Sequence, residues 1–126
     1  MKRVVAAVIL LSFAVGLSSW SEITYRKHMS SFEYDIENII SLCDNSTENE
    51  IIDLTEKAAE KWHKYDDLLH SLVVHEGMDE LEEIITSLPE IAIHSDTDEL
   101  KIKCVEAVNI IRNLLESERV SIGNIL

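Results

Sequence analysis

Between Val4 and Ser21 the chain carries no charged residue, and this stretch limits what the protein can be. The opening "MKRVVAAVILLSFAVGLSSWSE" places two cations ahead of 18 uncharged residues, and the first carboxylate comes at Glu22. As an α-helix the uncharged run rises about 27 Å, close to the hydrocarbon thickness of a bilayer. The central "VVAAVILLSFAVGL" is shorter and also suits the apolar region of a secretory signal. Under either reading Lys2 and Arg3 stay on the cytoplasmic side and the chain beyond Ser21 lies outside. The readings part over cleavage. Gly16-Leu17-Ser18 is only a fair peptidase site, Trp20 resembles an interfacial anchor, and no Gly or Pro turn separates the apolar run from the next helix. These features favour an uncleaved anchor over a cleaved signal. The chain therefore divides into an anchor or signal segment, 1-21, and an extracytoplasmic helical domain, 22-126.

Turn residues are scarce, with three Gly and one Pro in 126 residues, so a strand-and-turn architecture is disfavoured. Apolar residues instead recur at intervals of three and four, the helical period. The first exported helix continues out of the anchor to about Asp44, with Met29, Phe32, Ile36, Ile39, Ile40 and Cys43 on one stripe. "DNSTENE" breaks it, and Thr47 with Glu50 forms a capping box for a second helix, about Glu48 to His75. Its stripe is Ile51, Leu54, Ala58, Trp62, Tyr65, Leu69 and Leu72, and Gly77 is placed to stop it. A third helix, about Met78 to Ile93, turns Leu81, Ile84, Ile85, Leu88, Ile91 and Ala92 inward and should kink at Pro89. Asp96 and Glu99 cap a fourth, about Thr97 to Glu118, with Leu100, Cys104, Ala107, Val108, Ile111, Leu114 and Leu115 inward, and "RVSIGNIL" closes the chain as a tail. Short connections make neighbours antiparallel. The expected fold is all-α: an N-terminal transmembrane helix followed by an antiparallel up-down helical bundle.

The formal net charge is −13, and setting Lys2 and Arg3 aside leaves −15 on the exported part. Such a surface repels nucleic acid and anionic headgroups, which argues against either as a ligand.

Three of the five histidines fall in "WHKYDDLLHSLVVHEGMDE", residues 62–80, among several carboxylates. A helix separates them. His63 and His70 share a face but lie about 10 Å apart along the axis, too far for one metal ion with bonds of about 2 Å. His70 and His75 point about 140° apart. A set of His75, Glu76 and Asp79 would need the turn to fold round a cation, so the three are candidate ligands only, against a reading as a solvated flank near the helix C-terminus. "HEG" lacks the second histidine of a zinc protease, no Gly-x-Ser-x-Gly elbow occurs, and glycine-rich phosphate loops are missing. Neighbouring carboxylates such as Asp66-Asp67 and Glu82-Glu83 diverge on a helix and read as wet faces. No catalytic residue and no cofactor is expected, and the chain reads as a non-enzyme.

Cys43 and Cys104 both fall on inward stripes. In an up-down bundle the fourth helix begins at the membrane-distal end, where the first finishes, so a disulfide is geometrically allowed in an oxidising exterior. Two buried thiols packed as small apolar groups are the alternative. Ile102 and Val105 lie opposite the fourth stripe and form a candidate interaction surface. Ile122, Ile125 and Leu126 fall at the membrane-near end, where they plug the base of the bundle or touch lipid or another protein.

The cationic start, the single apolar span, the Trp-containing helix, "HEGMDELEEIITSL" and the closing "NIL" together resemble an uncharacterised bacterial family catalogued as domain of unknown function 4363. The likeness covers essentially the whole chain and matches at Trp62, His75, Glu76, Asp79, Asn124, Ile125 and Leu126. Pro89 departs from the unbroken third helix that the family leads one to expect. The resemblance implies a small membrane-tethered helical protein of Gram-positive, often spore-forming, bacteria, and it implies no activity. The sequence as a whole points to a membrane-anchored extracytoplasmic interaction module, held in the bilayer by residues 4-21 and partnered by another membrane or envelope protein. A cation or small-ligand sensor at the cell envelope is the alternative.

Overall fold

The computed structural model describes residues 1–69, 77–94 and 96–116 in full, together with the helical backbone of 70–72 and 117–125. The chain is all-α, with four helices in the order α1 (Lys2–Leu42), α2 (Glu48–Leu72), α3 (Met78–His94) and α4 (Thr97–Ile125). α1 packs on α2 and α4, and α3 packs on the same two helices, so the four close an up-down ring around one core. The ring begins where the uncharged run ends. Every residue from Val4 to Trp20 is exposed, Ser21 and Glu22 are half-buried, and Tyr25 is the first fully buried side chain.

The inward stripes lie largely where the sequence places them. Met29, Phe32, Ile36 and Ile39 of α1 meet Ile51, Ala58, Trp62 and Leu69 of α2, Leu81, Ile84, Ile85 and Leu88 of α3, and Leu100, Ala107, Val108, Ile111 and Leu114 of α4. Each such large aliphatic or aromatic side chain contributes about 1.5–3 kcal/mol by leaving water. Leu54, Tyr65, Ile91, Ile40 and Leu115 sit at the core's edge, only partly buried. Trp62 packs obliquely on Phe32, with ring centroids 5.3 Å apart, and its indole N–H finds no acceptor among the described residues. Thr55 is the polar intruder, wholly buried, and its hydroxyl donates to the Ile52 carbonyl of its own helix at 2.7 Å.

Both sequence-read N-caps are present. The Glu50 amide donates to Thr47 Oγ1 at 3.4 Å, and the Glu99 amide donates to Asp96 Oδ1 at 2.8 Å. The helix ends lie close to those expected, with one exception at the C-terminus. α2 is described as helical to Leu72, and its expected end at His75 falls in 73–76, outside the described residues. Gly77 stands at the start of α3: its φ is +102° and its carbonyl accepts the Leu81 amide at 2.9 Å. That backbone region favours glycine, which has no Cβ to clash. α3 runs to His94 with Pro89 in its interior, as its spacing leads one to expect. Finally, "RVSIGNIL" is not a tail in its backbone, because α4 stays helical to Ile125. Gly123 is the weakest helix former in that stretch and costs about 1 kcal/mol relative to alanine, too little to end a helix alone.

Candidate interaction surface

α1 is the hub of the polar contacts that fix the bundle's register. On one side Lys61 of α2 donates to Asp35 Oδ2 at 2.8 Å and to Ser31 Oγ, with its ammonium 4.9 Å from the Phe32 ring centre. One turn toward the N-terminus, His28 stacks on Tyr65 with centroids 4.3 Å apart. Partial burial, then the charges of Lys27 and Lys61, lowers the His28 pKa and favours the neutral imidazole. On the other side Arg112 of α4 reaches Glu33 at 2.8 Å and Glu37 at 2.7 Å, Lys101 reaches Asp44 at 3.0 Å, and Arg26 donates to the Leu115 carbonyl at 3.3 Å. The hydrogen bonds to Asp44 and Glu33 raise the pKa values of Lys101 and Arg112. Among the described residues, every ion pair between helices uses α1 or Asp44 just beyond it. Exposed pairs of this kind contribute little energy individually, but they select one register over its neighbours.

The charge that remains is unevenly spread. α2 and α3 together carry twelve carboxylates against three lysines, whereas α4 carries five carboxylates against four cations. α4 also bares two large apolar side chains close together. Ile102 is 65% exposed and Val105 43%, and their spacing of three puts them side by side on the outer face. Nearly neutral and partly apolar, this face costs little to desolvate, unlike the acidic faces of α2 and α3. The other exposed apolar groups of the bundle, Ile23, Tyr34 and Ile93, belong to α1 and α3.

The remaining sequence-read positions do not converge. Asp79 is exposed in the first turn of α3, while His75 and Glu76 lie outside the described residues. No group of three or more His, Cys, Asp or Glu side chains is placed to hold a metal ion among the described residues. His63 and His94 are exposed on α2 and α3, and His94 meets Glu90 of its own helix at 3.5 Å. The side chains of Ile122, Ile125 and Leu126 lie outside the described residues. Cys43 and Cys104 are both buried with free thiols, as their stripes require. Burial pushes both thiols up, Cys104 to about 12 with Cys43 as its second cause.

Sequence reasoning missed the α1-centred ion pairs. Their partners lie between 26 and 79 residues apart along the chain, and only the register of packed helices brings them together.

α1 is long and apolar enough near its N-terminus to cross a membrane, with a mean hydropathy of 2.0 over its most apolar 18 residues and none of that window buried. Comparison of the chain with family models, curated proteins and solved structures returns no match.

Proposed function

We propose that the chain is a non-enzymatic, membrane-anchored interaction module that displays its bundle outside the cytoplasm. The observation that carries this reading is the continuity of α1, which leaves a bare apolar segment and enters the bundle as its polar hub without a break. A helix that is apolar all round and touches no protein suits lipid. Lys2 and Arg3 orient it with the N-terminus in the cytoplasm. The partner is another membrane or envelope protein, and the Ile102–Val105 face of α4 is where it docks. Membership in the family catalogued as domain of unknown function 4363, and with it a Gram-positive source, belongs to the same proposal and rests on the motifs that carry the resemblance.

A photocrosslinking residue placed at Ile102 or Val105 in intact cells tests the docking face. Each should yield a discrete protein adduct, while the same residue at Glu56 or Glu60 on the acidic side of α2 should yield none. Adducts no stronger than at those control positions would overturn the assignment. Protease added outside cells stripped of their wall tests orientation independently, since it should digest the bundle and leave the anchor. The intact N-terminal mass reports whether Met1–Ser21 is retained.

A further inference from the structure

Asp44 meets Lys101 and Glu33 meets Arg112, so eleven residues down α1 match eleven residues up α4, and the antiparallel register of the two helices is fixed. In that register Cys43 stands level with Ile102, and Cys104 lies two residues farther along, about 3 Å down the axis at 1.5 Å per residue. Both side chains are turned into the same core, Cys43 7% exposed and Cys104 not at all. Packed helix axes lie about 8–10 Å apart, and inward-facing residues of the two helices approach more closely than that. Burial, and after it Cys43, raises the Cys104 pKa. Cys43 is also the C-terminal cap of α1, followed by a turn rather than by more helix, so its backbone can shift to suit a bridge.

We propose that Cys43 and Cys104 are an intrachain disulfide site that ties the membrane-continuous helix to α4 at the head of the bundle. The order of steps is set by access. Cys43 borders a cleft of about 300 Å³ between the helix ends, together with Ser46, Ile51, Thr97 and Leu100. Burial and then the Asp44 charge raise its thiol pKa, with Lys101 opposing them, so access and not acidity makes Cys43 the first to react, whereas Cys104 is enclosed. An external disulfide is the oxidant, either a small molecule or an exchange protein. The Cys43 sulfur attacks it, its S–S bond breaks, and one thiol leaves. The Cys104 sulfur then attacks Cys43 within the mixed disulfide and releases the second thiol. The chain loses two protons and two electrons, both carried away on the two departing thiols. Closure in the cell rests on the extracytoplasmic placement proposed above, because cytosolic thiols would keep the pair reduced.

The test uses the full chain purified in detergent and incubated with oxidised glutathione, then unfolded in acid and alkylated. Closure should give an intact mass lower by two hydrogens, no alkylation, a linked peptide containing Cys43 and Cys104, and a higher melting temperature that falls back on reduction. Cys104→Ala should stop at the glutathione adduct on Cys43, with its helical spectrum confirming that it folds. Two fully alkylated thiols after the same treatment, or bridges only between chains, would overturn the proposal. The same mass analysis on acid-quenched cells separates it from the placement. Closure in both samples supports site and location together, while closure in detergent with free thiols in cells supports the site and overturns the extracytoplasmic location.

Discussion

Residues 4–20 and residues 25–42 lie on one helix, yet the first stretch exposes every side chain and the second hides a narrow stripe from Tyr25 to Ile39 while wetting the rest. The amount of apolar surface does not separate them so much as its arrangement. Val, Ile, Leu and Phe around the whole circumference leave no polar face for water, so no bundle of this size could cover them and lipid can. Met29, Phe32, Ile36 and Ile39 are spaced three and four apart and leave Glu33, Asp35 and Glu37 free to meet α2 and α4. The same helical geometry thus carries an all-apolar length and an amphipathic one, and what changes is the angular pattern of the side chains.

The comparison breaks most sharply if the halves are perturbed separately. Replacing Leu10 and Phe13 by arginine should disfavour insertion by about 5 kcal/mol or more, since each charge at the centre of a span costs about 2.5–3.5 kcal/mol on insertion scales. Fractionation should then show the protein leaving the membrane, while its melting curve by circular dichroism keeps the wild-type midpoint. A parallel loss of bundle stability would mean that the halves are not independent.

The converse change is Trp62→Ala, which removes the largest buried side chain and should destabilise the bundle by about 3–5 kcal/mol with the membrane fraction unchanged. Trp62→Phe sharpens this. It keeps a ring against Phe32 and removes an N–H that has no acceptor among the described residues, a group whose desolvation costs about 1–3 kcal/mol. Denaturant titration should therefore place it well above the alanine variant. Equal losses would show that the indole N–H is satisfied in solution.

Cap removal is smaller. Asp96→Ala and Thr47→Ala should each cost about 1 kcal/mol, within the usual range of about 0.5–2 for such caps. Asp96 should lead, because its bond to the Glu99 amide is 2.8 Å against 3.4 Å for Thr47. Urea midpoints of the two variants decide the order, and a larger loss at Thr47 would contradict the geometry.

Those stripes and caps were legible because they are local: they depend on spacing within one helix, and spacing is written in the chain. Exposure of Ile102 and Val105 was legible for the same reason, from their phase opposite Leu100 and Cys104. Tyr25 was missed because it adjoins the uncharged run, where the stripe has no visible edge. Thr55 was missed because its polarity argues for the surface until its hydroxyl is seen to satisfy the Ile52 carbonyl. The part Gly77 plays at the start of α3 was not legible, since a glycine between two helices suits the end of one as well as the start of the next. The ion pairs of Arg112 and Lys61 were out of reach, since any of many carboxylates could have served until packing chose among them.

The smallest effect sits where the two regimes of α1 meet. His28 lies one turn beyond the first buried residue, stacked on Tyr65, and its pKa is lowered from the ordinary value of 6.5 by burial and then by Lys27 and Lys61. The folded chain therefore binds a proton there less readily than the unfolded chain does. This contribution to stability is fully present above the unfolded value and declines as pH falls through 6.5 toward the lowered folded value, because the unfolded state gains the proton first. Wild-type protein should melt at a lower temperature at about pH 5.5 than at about pH 7.5, conditions that bracket the ordinary histidine value. His28→Gln should flatten that slope while leaving membrane fractionation untouched. An unchanged slope would assign the pH dependence to groups elsewhere in the bundle and remove His28 from the boundary between the bare apolar and the protein-facing lengths of the helix.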